Sequence, residues 1–149
     1  MGNFYPPWWS ETVTIYNRYE DEQTHLISWY SHVVSGCFWK YVGEKISIGE
    51  TIMETNNTIC RIPENADYKP RYEWNELPND EMSNYFTLGK DDIIVLGEVS
   101  DIIDEYTKGS RSTDLIAKYK KLQGCMTIEQ YADNTGTGRG QKHYYVRGI

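Results

Sequence analysis

Apolar and polar positions alternate along most of this chain, and the alternation predicts strands. Thr12 to Tyr16 places Val13 and Ile15 on one side and Thr12, Thr14 and Tyr16 on the other, as in a half-buried strand. Asn17 to Thr24, acidic or amide from Glu20 to Gln23, predicts a solvated turn. Leu26–Tyr30 and Val33–Tyr41 predict the next strand or pair of strands. In the second, Val33, Cys37, Trp39 and Tyr41 share one face, and Val34 and Phe38 the other. Ile46, Ile48 and Ile52 carry the β-pattern across Gly43 and Gly49, and Thr58–Ile62 gives a short strand ended by Pro63. From Phe86 to Val99 the chain reads as a compact β-unit. Phe86, Thr87 and Leu88 meet a Gly-Lys-Asp-Asp turn, and the apolar strand Ile93–Leu96 follows, turning at Gly97. Met126–Ala132 and His143–Val146 predict two further strands joined by the flexible hairpin loop 133–140. Val13, Ile15, Phe38, Ile94 and Leu96 are the expected core.

A helical period stands out in Asp114–Leu122. Leu115, Ile116, Tyr119 and Leu122 fall at i, i+1, i+4 and i+7 and form one apolar stripe, which predicts that the helix packs on the β-body with its lysines in solvent. Ser112 or Thr113 is placed to cap it, Asp114 sits at the positive end of its dipole, and Lys118, Lys120 and Lys121 sit near the negative end. Gly124 stops it. The polar stretch Asp101–Gly109 has room for one helical turn. Two segments have no period. Residues 1–11 contain Phe4, Tyr5, Pro6, Pro7, Trp8 and Trp9, and consecutive prolines favour an extended arm. Residues 63–84 are punctuated by Pro63, Pro70 and Pro78, with Tyr68, Tyr72 and Trp74 among charges and a short helical turn expected around Asp80–Asn84. The fold class is therefore mainly β with a minor α part. The expectation is an N-terminal arm, 1–11, followed by one domain, 12–149, with a small barrel or sandwich-like body, one packed helix and an inserted aromatic loop.

Composition narrows the function. The chain has 149 residues and a formal charge of −7, and a body of this length buries roughly 70% of its unfolded surface without needing a disulfide or metal. Net acidity is a poor match for a free-standing nucleic-acid binder, which gains affinity by neutralising phosphates. Thirteen Tyr, five Trp and three Phe are a heavy aromatic load, suited to rigid contact area at interfaces. Cys37, Cys60 and Cys125 are odd in number and dispersed, so no disulfide framework is expected. The N-terminal stretch has no basic n-region or apolar h-region, Pro6 breaks the myristoylation pattern, and no apolar run reaches the roughly 18 residues of a membrane span. A soluble protein made in a reducing cytosol, without membrane contact, is expected.

Candidate chemistry is sparse. Gly136–Gly140 invites a phosphate-loop reading, but it leads into a strand rather than a helix and lacks the Lys-Ser/Thr pair, so a hairpin is expected. His25, His32 and His143 are scattered, and no metal site or cofactor is expected. Cys37 with His32 suggests a nucleophile–base pair, against the plainer reading of a buried thiol. Asp91-Asp92 and Asp101/Asp104/Glu105 are acidic pairs, read as turn and cap residues rather than as acid–base machinery. No catalytic site is expected.

TVTIYNR, WY…CFW, TICRIP, FTLGKDDIIVLGEV, RSTDLIAKYK and ADNTG…HYYVRGI, in that order over most of residues 12–148, resemble small structural proteins of tailed bacteriophages. The resemblance is to head–tail connector proteins of the head-closure (stopper) or minor capsid type. It implies a β-barrel subunit that assembles with copies of itself into a ring in the virion. The ring would lie between portal or adaptor and tail-terminator proteins, and packaged DNA would pass through it without specific binding. Segment 63–84 is longer than the loop expected in such a protein. On this reading Phe4, Tyr5, Trp8, Trp9, Tyr68, Tyr72, Trp74 and Arg139 are expected at the subunit interface, because arm, loop and hairpin pack poorly on their own domain. A tail-completion or tail-terminator protein has a similar size and class. The competing readings are a small barrel that binds a peptide or carbohydrate through exposed Trp and Tyr, and a small enzyme.

Overall fold

A computed structural model describes residues 5–49, 51–136 and 140–149, with the backbone alone described over 43–48 and 51–56. Six strands, β1 (Glu11–Glu20), β2 (Ile27–Ile48), β3 (Thr51–Pro63), β4 (Ile93–Leu96), β5 (Cys125–Asp133) and β6 (His143–Gly148), close into an antiparallel barrel in the order β1-β2-β3-β6-β5-β4. One helical turn, α1 (Arg71–Trp74), and a 3-10 turn (Met82–Asn84) lie in the segment between β3 and β4, and the main helix, α2 (Ser112–Leu122), lies between β4 and β5. The expected mainly β body with one principal helix is what the chain forms, and the 3-10 turn falls within the expected Asp80–Asn84.

The barrel interior holds Val13, Ile15, Ile94, Met126, Ile128 and Val146, as alternation requires. Two core expectations and one strand expectation need correction. Phe38 is only half-buried, and Cys37 takes the inward position. The cause is a bulge: Glu11 pairs with Cys37 and Val13 with Val34, so β2 has one residue more than β1 between these pairs. Gly36, at φ +76°, absorbs it and inverts the alternation. Val34 and Cys37 therefore both point inward, although the alternation had put them on opposite faces. Leu96 is half-buried at the barrel rim. Phe86, Thr87 and Leu88 are fully buried but form no strand. Phe86 makes a single bridge to Tyr68 and plugs the barrel mouth.

Other boundaries shift for similar reasons. β1 runs on to Glu20, so Asn17 is buried in the barrel wall rather than solvated, and the turn begins at Asp21, whose carboxylate accepts from the Gln23 and Thr24 N–H groups. Helix α2 starts at Ser112 with Arg111 as its N-cap, whose N–H donates to Asp114 Oδ2 (3.1 Å). Leu115 and Tyr119 are buried and Ile116 packs partly, but Leu122 lies exposed beyond the last contact. Lys118 is not free in solvent; it bridges to Asp101 at 2.8 Å. Residues 101–109 form turns and bends without a helix.

Connectivity gives the barrel two unlike ends. Connections 21–26, 64–92 and 134–142 lie at one end. The 97–124 connection, the β2–β3 turn and Ile149 lie at the other. Strands β2 and β3 overshoot this second end. Among the described residues, 42–48 and 51–57 pair only with each other, as a two-stranded ribbon roughly 20 Å long. Charge divides along the same axis. Among the described residues, the connections 21–26, 64–92, 134–136 and 140–142 contain ten carboxylates against four Lys and Arg. Negative charge is therefore concentrated at that end.

Candidate functional site

The inserted segment 64–92 is held at the acidic end by a buried polar cluster. Asp92, at the foot of β4, is fully buried. Its Oδ2 accepts from Arg71 Nη1 (2.7 Å) and Asn17 Nδ2 (2.9 Å), and its Oδ1 from the Arg18 N–H (2.9 Å). Arg71 also donates to the Arg18 carbonyl, and Asn17 exchanges hydrogen bonds with the Thr87 backbone (2.7 and 3.1 Å). Burial pushes the Asp92 carboxyl up from its ordinary value, against the lowering pull of Arg71, the Arg18 N–H and Asn17. Sequence reading took Asp92 as a plain turn residue; nothing local announces that Arg71, 21 residues earlier, will reach it.

Trp74 completes this anchorage. It is fully buried, packs edge-on against Tyr19 and Tyr30 (6.2 and 6.0 Å), and donates Nε1–H to the Met82 carbonyl (3.2 Å). It therefore belongs to its own domain, not to the surface expected of it. Tyr68 is half-buried, its ring 4.1 Å from Tyr144 and 5.7 Å from Phe86. Between these anchored groups Tyr72 stands 72% exposed.

The N-terminal arm also packs on its own barrel, through aromatic faces rather than backbone pairing. Trp9 is buried, stacked on Tyr5 at 5.3 Å and edge-on to His143 at 5.7 Å, with Phe38 at 6.3 Å. Tyr5 Oη donates to the Lys142 carbonyl (2.6 Å) and accepts from the Glu64 N–H (3.0 Å). Trp8 alone of this pair faces solvent. Phe4 and Arg139 lie outside the described residues. Trp8 and Tyr72 are thus the expected contact residues that are broadly exposed.

His32 and Cys37, weighed as a nucleophile–base pair, each have other partners. His32 has Nδ1 2.8 Å from the Ser83 carbonyl and Nε2 3.2 Å from Asp67, and it stacks on Phe86; Cys37 Sγ instead donates to the Val34 carbonyl at 3.7 Å. All three thiols are free and buried. Contact with Cys37, together with burial, pushes the Cys60 thiol well up, and burial pushes Cys125 to about 12. Asp104 caps its own turn through the Tyr106 N–H and Thr107 hydroxyl, and Glu105 accepts from the Ser112 N–H. Among the described residues no group of three or more His, Cys, Asp and Glu side chains is placed to hold a metal ion, and no helix is long and apolar enough to cross a membrane.

At the ribbon end the structure assembles a feature that sequence reading missed. Trp39 and Tyr41 from the ribbon's root, the end of α2 with Lys120 and Leu122, and Ile149 line an open groove of about 600 Å³. Gly124 turns the chain beside it at φ +118°, a left-handed conformation that favours glycine. Leu122 is the residue that the helical stripe had assigned to the core.

Residues 9–149 match the family described as "Family of unknown function (DUF6751)", and the chain belongs to that family. Comparison with curated proteins and with solved structures finds no match.

Proposed function

We propose that this member of DUF6751 is a non-enzymatic structural component of a tailed-phage virion, a ring-forming head–tail connector subunit of the head-closure type. The observation that carries the reading is the ribbon of 42–48 and 51–57, which leaves the barrel and whose described residues pair, strand to strand, only with each other. A lone two-stranded ribbon is marginal in water, and unpaired edges are templates for another chain, so a ribbon of this length is best explained by assembly. The net charge of −7 supports the same reading. Repeated around a ring, an acidic subunit would repel phosphate and let DNA slide, whereas a basic lumen would hold it by counterion release.

The test is made on particles. Purified virions should contain the protein in fixed stoichiometry, and its deletion should yield DNA-filled heads and free tails that do not join. Absence of the protein from virions, or normal infectious particles without it, would sink the reading.

A second reading, a small barrel that binds a peptide or carbohydrate, is favoured by the groove beside Trp39 and Tyr41. Saturable quenching of tryptophan fluorescence in a strictly monomeric protein would select it.

A further inference from the structure

Resting on the ring-subunit reading, we infer that the groove at the ribbon end receives the Tyr72 loop of a second copy of this chain, in a head-to-tail contact. Large exposed apolar side chains are normally scattered over a surface. Here Tyr41, Leu122 and Ile149, which are 62%, 67% and 51% exposed, converge on one concavity whose floor includes Trp39. Lys120 lines it and Lys121 stands exposed beside it.

The other end of the barrel supplies the complement. Tyr72 projects at 72% exposure among Glu73, Glu76, Asp80 and Glu81, all exposed. It is held rigidly, since its neighbours Arg71 and Trp74 are tied down by Asp92 and by the buried aromatic cluster. An exposed aromatic on a fixed turn binds without the ordering cost of a mobile loop, which is the physics of an interface hot spot. Its ring would enter the groove and bury about 150–250 Å². The surrounding carboxylates would face Lys120 and Lys121, fixing orientation and excluding like ends. Because knob and groove lie at opposite ends of one barrel, the contact is heterologous. It closes into a ring if the rotation per subunit closes, and otherwise extends.

The experiment measures self-association of the full chain by sedimentation velocity from micromolar to millimolar concentration. The variants are Tyr72→Ala, Leu122→Asp, Lys120→Glu/Lys121→Glu, Glu73→Lys/Glu76→Lys, and an equimolar mixture of the two charge reversals. All altered positions are exposed, and unchanged thermal melts verify folding. Tyr72→Ala and Leu122→Asp should each weaken association by about 30-fold or more, the scale of a single anchor. Each charge reversal should weaken it alone, and mixing the two should restore hetero-association.

A wild-type chain monomeric at millimolar concentration would overturn the contact, as would association indifferent to Tyr72→Ala and Leu122→Asp. The same holds if the apolar dye ANS fills the groove, read by quenching of Trp39, without displacing the second copy. None of these results touches the virion assignment, which the particle experiment decides separately.

Discussion

Arg71 Nη1 lies 2.7 Å from Asp92 Oδ2, joining the 64–92 insertion to the barrel through a carboxylate with no exposed surface. The Asp92 charge is stabilised by three donors, and Arg71 is the one that carries a full positive charge. Removing it strands a buried anion, which costs far more than the pair itself is worth. Arg71→Ala should lower unfolding free energy by roughly 3–5 kcal/mol, whereas Tyr72→Ala, one residue away, should stay within about 0.5 kcal/mol. Urea melts of the two variants check the contrast; equal losses would show that the clasp has been misjudged.

Trp74→Ala is expected to destabilise the subunit itself. The ring is fully enclosed by Tyr19, Tyr30 and the Arg71 guanidinium. Truncation should cost about 3–5 kcal/mol in chemical denaturation. A variant that melts like the wild type would return Trp74 to the list of surface groups.

Gly148 closes the barrel where β3, β5 and β6 meet. A Cβ there would lie 2.1 Å from the Thr127 carbonyl oxygen, and backbone cannot yield as a side chain can. Gly148→Ala should cost about 3 kcal/mol, the upper part of the overpacking range, and a thermal melt within a degree of wild type would contradict it.

Asp101 predicts a pH effect of definite sign. Lys118 and Tyr119 both donate to its carboxylate and hold its pKa below the ordinary value. A depressed carboxylate stabilises the fold fully above its unfolded pKa of about 4. That contribution is lost as pH falls through the lower folded value. The wild type should therefore melt above Asp101→Asn at pH 6, and the gap should close toward pH 2. A gap that persists in acid would mean that the carboxylate charge plays no part.

The three cysteines should be silent in the native protein. All are buried, and the Cys125 thiol is pushed up to about 12. An aromatic disulfide reagent should label none on the native timescale and all three in denaturant. Prompt labelling of one thiol before unfolding would show a more open barrel.

The fold was legible where alternation is strict. Val13 and Ile15 read directly as interior, and Ile94 sits in an apolar run too short to be anything but a strand. Legibility failed at Phe38, because a bulge shifts alternation by one residue and Gly36 does not announce that its φ will be positive. It failed differently at Asp92 and Leu122. Asp-Asp after Gly-Lys looks like any turn, and burial there depends on an arginine that arrives through an insertion. The helical stripe through Leu122 is genuine, but the barrel ends one turn short of it. Trp9 and Trp74 differ from expectation because proline-bearing segments can satisfy backbone locally: the Trp9 and Trp74 N–H groups donate to the Pro6 and Pro70 carbonyls. These segments pack by aromatic faces, which backbone reasoning does not see. The groove was invisible because ribbon root, helix end and Ile149 meet only after the barrel closes.

The pairing of β6 has a consequence for the order in which this chain can fold. Strands β1, β2 and β3 form a meander whose contacts are local and quickly found. β6 alone joins β3 on one side to β5 on the other, with Thr58 opposite Gly148 and Ile128 opposite Gly148 again. The β3–β6 seam spans some 80–90 positions of sequence, and β1–β4 a similar distance. Contacts of such separation repay their loop-closure entropy late and make folding slow. Until residues 143–148 dock, the meander is an open sheet with Val13, Ile15, Cys60 and Ile62 facing water. The transient most exposed to capture by other chains is therefore this three-stranded half, and the lifetime of that vulnerability is set by six residues far along the sequence.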